Sequence, residues 1–243
     1  MKRSYLFLSL LLSAIITSCL YAGNNASGEL MQKKLPLEYF DVIHVKMGVQ
    51  LFINQGESYD AVIEAEDEII DRVVIKNKNG ELDIYIENPP GFNIFDWRSY
   101  KYPVKVYLTC RDLKELKASS GAIAESQGLL TAGQIDIEAS SGAQIKLSLN
   151  ASAVEAEASS GAQIKLDGQG DGIEADASSG AQIDAYGFVA ANGSGEASSG
   201  AQVRLFVNGK AKGSASSGGN VTVKGDVVMT SVDSSSGGVV RTE

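Results

Sequence analysis

Ala139-Ser140-Ser141-Gly142-Ala143-Gln144-Ile145-Lys146-Leu147 returns unchanged as Ala158-Ser159-Ser160-Gly161-Ala162-Gln163-Ile164-Lys165-Leu166. It returns again, with its apolar frame kept, as Ala177-Ser178-Ser179-Gly180-Ala181-Gln182-Ile183-Asp184-Ala185. Extended outward, Ser-Ser-Gly occurs seven times, with its glycine at Gly121, Gly142, Gly161, Gly180, Gly200, Gly218 and Gly237. The spacings are 21, 19, 19, 20, 18 and 19 residues. One, three and five positions after each glycine the residues are mostly aliphatic, as in Ala143, Ile145 and Leu147, and between them they are polar. That alternation is the period of a strand with one buried face. No single unit can bury its apolar face alone, whereas units stacked in register bury a continuous core.

The expected fold is therefore all-β: a right-handed parallel β-helix of about seven rungs, the hand being the usual one for parallel crossovers. Seven rungs at about 4.8 Å each make a rod roughly 30 Å long. The glycine supplies a positive φ at each corner without steric cost, and the serine hydroxyls are expected to bond nearby backbone. Stacked Ser and Gln are expected to form ladders along the rod. Residues 118–243 make the solenoid. Residues 35–117 lack the repeat but alternate as strands, with an Asn79-Gly80 hairpin signal, and are expected to cap its first rung.

The start of the chain is of another kind. Lys2 and Arg3 precede an apolar run from Tyr5 to Ile16, a signal-peptide pattern too short to span a bilayer. The run ends Ile16-Thr17-Ser18-Cys19, which resembles a bacterial lipobox: residues 1–18 are then removed and Cys19 carries the lipid. Cleavage after Ala22 is the alternative, with Leu20 a poor fit three positions before the cut. Residues 19–34 carry no periodicity and read as a flexible tether.

Composition narrows the function. The 243 residues carry a formal charge of -9 with 26 Gly and a single His. An acidic chain is a poor partner for nucleic acid. With Cys19 lipidated, Cys110 has no partner, so no disulfide framework exists despite export. Cys110 closes the apolar run from Val104 and reads as a small buried hydrophobe.

The Ser-Gly corners follow Phe40-Asp41-Val42-Ile43-His44-Val45, Leu82-Asp83-Ile84-Tyr85-Ile86 and Leu113-Lys114-Glu115-Leu116. In this arrangement the chain resembles the head GIN domain family of auto-transporter adhesins, found in Bacteroidetes-type bacteria, from about Leu37 to Arg241. The resemblance implies an exported β-helical protein with an adhesive role and brings no catalytic residues. It departs in one respect: an auto-transporter ends in a membrane barrel, whereas this sequence stops at Glu243, so anchoring falls to a lipid on Cys19.

Two surface features stand out. Glu138, Glu157, Asp176 and Glu196, four positions before their glycines, would stack along one face. The positions four after the glycine carry the opposite sign in most rungs, so the expected reading is a solvated face rather than a cation ladder. No cofactor or metal site is expected. The segment from Pro89 to Pro103 holds Phe92, Phe95, Trp97, Arg98, Tyr100 and Tyr102, residue types suited to stacking on sugars or anchoring a protein interface. The last rung, around Val239 and Val240, is expected to expose an edge open to a partner or a second copy. The expected function is a non-enzymatic envelope module binding glycan or protein. A carbohydrate-active enzyme using Asp176 or Asp184 and a purely structural spacer are the alternatives.

Overall fold

The structure, a computed structural model, describes residues 28–88 and 102–243. It is an all-β parallel solenoid of stacked coils, broken by one short 3-10 turn at Ile70–Arg72. The signal segment, Cys19, Phe92, Phe95, Trp97, Arg98 and Tyr100 lie outside the described residues.

The rod is built from long strands that each run through a whole rung: β9 (Ile123–Ala139), β10 (Gln144–Ala158), β11 (Gln163–Ala177), β12 (Gln182–Ala197) and β13 (Gln202–Ala215). The final rungs are split into β14 (Asn220–Lys224), β15 (Val228–Ser234) and β16 (Val239–Thr242). All pair in parallel, with Ile145 opposite Ile164, Ile164 opposite Ile183 and Ile183 opposite Val203. Those side chains are 2% exposed or less. Each such burial contributes about 1.5–3 kcal/mol. Where the core narrows, small residues face large ones: a Cβ on Gly170 would lie 2.6 Å from the buried Phe188 ring.

Each corner is a tight backbone turn. The second serine has φ between 49° and 53°, and the glycine between 71° and 78°. The residue after the glycine donates its N–H to the first serine's carbonyl at 2.8–3.2 Å. Two successive left-handed residues closed by an i to i+3 bond make a type I′ turn. The corners are then tied to one another: Gly121 N–H donates to Ser141 O, Gly142 to Ser160 and Gly161 to Ser179, each at 3.1 Å. The expectation that serine hydroxyls hold the turn is corrected, because backbone groups do so. Among the described residues no hydrogen bond comes from a corner hydroxyl or joins the stacked Gln144, Gln163 and Gln182.

The first half of the chain holds more of the rod than its sequence showed. Its strands are β1 (Leu30–Pro36), β2 (Val42–Val45), β3 (Gln50–Gln55), β4 (Asp60–Glu66), β5 (Val73–Lys78), β6 (Glu81–Ile86), β7 (Lys105–Cys110) and β8 (Glu115–Ala118). Strands β2 and β3 flank Lys46-Met47-Gly48-Val49, where Met47 has φ 62° and Gly48 φ 70°. Gly48 N–H donates to Ser120 O at 3.1 Å, as the glycines do further along the rod. This is an eighth corner, continuous with the others. Strands β6 and β7 stack in parallel on β2 and β3. Antiparallel β4, β1 and β5 then close that end. Residues 30–34, expected in the tether, belong instead to β1. At the other end, Val228, Val232 and Val239 are 65%, 54% and 47% exposed.

A Cβ on any of the seven corner glycines would meet nothing within 4 Å, so torsion and not space demands glycine there. Gly161→Val is expected to lower the unfolding free energy in urea by about 1–2 kcal/mol, the cost of a left-handed L-residue. Gly161→Asn should lose much less, because Asn tolerates that region. Equal losses from both would show that the corner is limited by space.

Candidate binding groove

Because the rungs repeat in register, outward residues at equal distance from the corner lie in columns about 4.8 Å apart. Four positions before the corner glycine the column runs His44, Lys117, Glu138, Glu157, Asp176, Glu196, Ser214, with Asp83 of β6 beside His44 beyond its first corner. Two positions further back a second acidic column runs Glu115, Asp136, Glu155, Glu174. Two positions closer to the corner lies a row of first serines, Ser119, Ser140, Ser159, Ser178, Ser198 and Ser216. The first column and the serine row line a groove of about 510 Å³ along the rod.

One end of this groove is charge-compensated and its middle is not. Lys117 Nζ lies 2.8 Å from Glu115 and 3.0 Å from Glu138, and these two carboxylates hold its pKa well above the usual lysine value. Lys117, ahead of His44, holds the Glu115 pKa down against the opposing effect of burial. Further along, Asp176 is pushed up to about 6, by burial first and then by Glu196, Glu174, Glu157 and Glu155. Its Oδ1 is buried without a hydrogen-bond partner. Glu155 is also raised, again by burial first and then by Asp136 and Glu174.

The expected neutralisation across each rung does not occur. Lys146, Lys165 and Asp184 line a different groove, beside the Gln column. Among the described residues no ion pair joins the two faces. Asp184 instead faces Arg204 at 3.8 Å. The two carboxyls considered for an enzyme, Asp176 and Asp184, are therefore not brought together. Of the aromatic segment only Tyr102 is described: it is 37% exposed, and its N–H donates to Glu66 Oε1 at 2.8 Å. Cys110 is 1% exposed, and burial pushes its thiol up to about 11, so it is protonated at neutral pH.

Sequence reasoning missed the second acidic column and His44. Counting six positions back from each glycine would have found the column. His44 occupies the Glu138 position of the unrecognised eighth corner. Its Nδ1 is 3.1 Å from Glu81 and 3.7 Å from Asp83, and its Nε2 is 3.4 Å from Glu115.

Comparison with known proteins agrees with this architecture. Residues 39–226 match the family described as "Putative auto-transporter adhesin, head GIN domain", and the chain belongs to that family. That family description points to an exported or cell-surface protein. No curated protein matches the chain. Among solved structures, a "putative adhesin" from Bacteroides fragilis superposes with a TM-score of 0.79 at 14% identity, over 91% of this chain and 100% of its own. A "putative adhesin" from Parabacteroides merdae gives 0.69 at 17% identity, over 89% and 97%. A "putative lipid binding protein" from Parabacteroides distasonis gives 0.66 at 15%, over 89% and 97%. At these identities the likeness establishes the fold. Among the described residues no helix is long and apolar enough to cross a membrane.

A carboxyl whose pKa rises on folding destabilises the fold once it must ionise. For Asp176 the penalty builds between the ordinary 3.8 and about 6, and is complete above that. Asp176→Asn is expected to raise the melting temperature at pH 8 and to leave it nearly unchanged below about pH 4. A gain of equal size at both pH values, followed by circular dichroism, would contradict ionisation as the cause.

Proposed function

Taking family membership as the premise, we propose that this chain is a non-enzymatic interaction module of the cell envelope. It is tethered through a lipid on Cys19 and holds a basic segment of a partner protein along the acidic groove. The observation that carries this reading is the uncompensated run Glu157, Asp176, Glu196 beside a row of serines. From Glu138 to Ser214 the column spans about 19 Å, the length of roughly six extended residues. Lysine and arginine stems can lie along the groove and place their charges on the carboxylates. Relief of the stacked-charge repulsion then adds to binding.

A second reading has one observation in its favour. Asp176, with its raised pKa, stands one rung from Glu196, a separation close to the carboxyl pair of retaining glycosidases. Those pairs flank the bond they cleave, whereas Asp176 and Glu196 stand side by side on one wall. The binding reading is preferred for that reason.

Fluorescence anisotropy with a labelled Lys-rich decapeptide provides the test. Binding is expected to weaken steeply with salt. Combining Glu157→Gln, Asp176→Asn and Glu196→Gln should weaken it at least tenfold. Peptide binding unaffected by these changes would contradict the proposal. So would glycan retention lost only with Phe95→Ala and Trp97→Ala, or polysaccharide turnover abolished by Asp176→Asn.

A further inference from the structure

The single histidine of the chain has carboxylates at both ring nitrogens, brought there by strands far apart in sequence. Strand β2 lies between β6 and β8, with His44 opposite Asp83 on one side and Lys117 on the other. Glu81 and Asp83 therefore meet Nδ1 from one neighbour, while Glu115 meets Nε2 from the other. The His44 side chain is 17% exposed and that of Glu81 50%, so the ring is held in place while the carboxylate side opens to solvent.

We propose that His44 Nδ1, Glu81 and Asp83 form a binding site for a divalent transition-metal ion of the zinc type. The three donor atoms lie within 4.8 Å of one another. In a tetrahedral zinc site with bonds of about 2.0–2.1 Å, ligand atoms stand about 3.3–3.4 Å apart. The two separations at Nδ1, 3.1 Å and 3.7 Å, bracket that value. An imidazole nitrogen with two carboxylates favours zinc-like ions over Ca²⁺ and Mg²⁺, which take oxygen ligands.

Glu115 supports the assignment independently. Nδ1 can offer a lone pair only when Nε2 carries the proton, and Glu115 Oε1, 3.4 Å away, stands where it accepts that N–H. A carboxylate behind the histidine is the usual arrangement around ligating imidazoles, because it fixes the tautomer and strengthens the donor. Lys117 Nζ, 2.8 Å from the same Glu115 oxygen, helps hold that carboxylate in place behind the ring. Lys46 Nζ lies 3.0 Å from Asp83 Oδ1 with its side chain 44% exposed, so it balances that charge until an ion displaces it. Three protein ligands leave a fourth position open to water or to a donor from a partner. His44 stands at the end of the groove, and its imidazole makes this site chemically distinct from the carboxylate run further along.

A lone histidine makes the test direct. The intact chain, labelled with ¹⁵N, gives one set of imidazole signals, and these are followed while ZnCl₂ is added at neutral pH. The expected result is a shift of Nδ1 to a coordinated value, with the proton on Nε2, saturating at one equivalent. CaCl₂ and MgCl₂ should leave the ring signals in place. Asp83→Asn should abolish the shift, and Glu115→Gln should weaken zinc affinity about 10–100-fold. Glu157→Gln, in the groove, should change nothing. Imidazole signals unmoved by millimolar zinc, or moved equally in the Asp83→Asn protein, would overturn the site and leave His44 a purely structural contact among carboxylates. The zinc titration of the unaltered chain needs no variant, so its outcome is independent of how any variant folds.

Discussion

A backbone hydrogen bond sets the position of the outward side chains along this rod. At each corner the glycine N–H donates to the second serine's carbonyl of the next corner, 3.1–3.2 Å away. Both residues at the turn are left-handed. A slip of one residue would force that torsion onto alanine and would turn every inward side chain outward. The register is therefore fixed, and like residues stack on like. The buried Ile145, Ile164 and Ile183 column and the exposed Glu157, Asp176 and Glu196 column are two results of this constraint.

The acidic column is costly, but the cost is small beside what surrounds it. Neighbouring charges about 4.8 Å apart in water repel by roughly 1 kcal/mol, less with salt. Each aliphatic side chain buried behind them contributes about 1.5–3 kcal/mol. The fold can thus carry an unfavourable surface, and the pKa values of Asp176 and Glu155, raised by burial first and by neighbouring carboxylates second, mark where both effects meet. Lys117 relieves one end of the groove, and Lys212 follows Ser194 at the far end of the second column. The middle is left as a run of carboxylates without ion-pair partners among the described residues.

The seven Ser-Ser-Gly corners and the inward aliphatic positions could be read directly, because spacing and alternation are local signals. The eighth corner could not be read so easily. Lys46-Met47 replaces Ser-Ser there, leaving only Gly48 and the flanking Val45, Val49 and Leu51 to mark it. Strand β1 was hidden because its side chains are mostly exposed, so Leu30–Pro36 shows no buried periodicity. The groove needs the serine row and the acidic column on the same face, which follows only once the corner geometry is known. The cluster at His44 was beyond the reach of spacing arguments: β6 and β8 flank β2 although three strands separate β2 from β6 in the chain. Opposite signs four residues either side of a corner suggested neutral rungs, but the turn sends those side chains to different faces.

The claim that the corners form one straight ridge is tested most directly by a distance along it. Nitroxide labels at Ser120→Cys and Ser217→Cys, with Cys19→Ser and Cys110 left in the core, stand five rung intervals apart. Pulsed electron paramagnetic resonance should give a single narrow distance distribution centred near about 24 Å, five steps of strand spacing. A broad distribution, or a mean separation well beyond that value, would contradict the stacked ridge and the groove that depends on it.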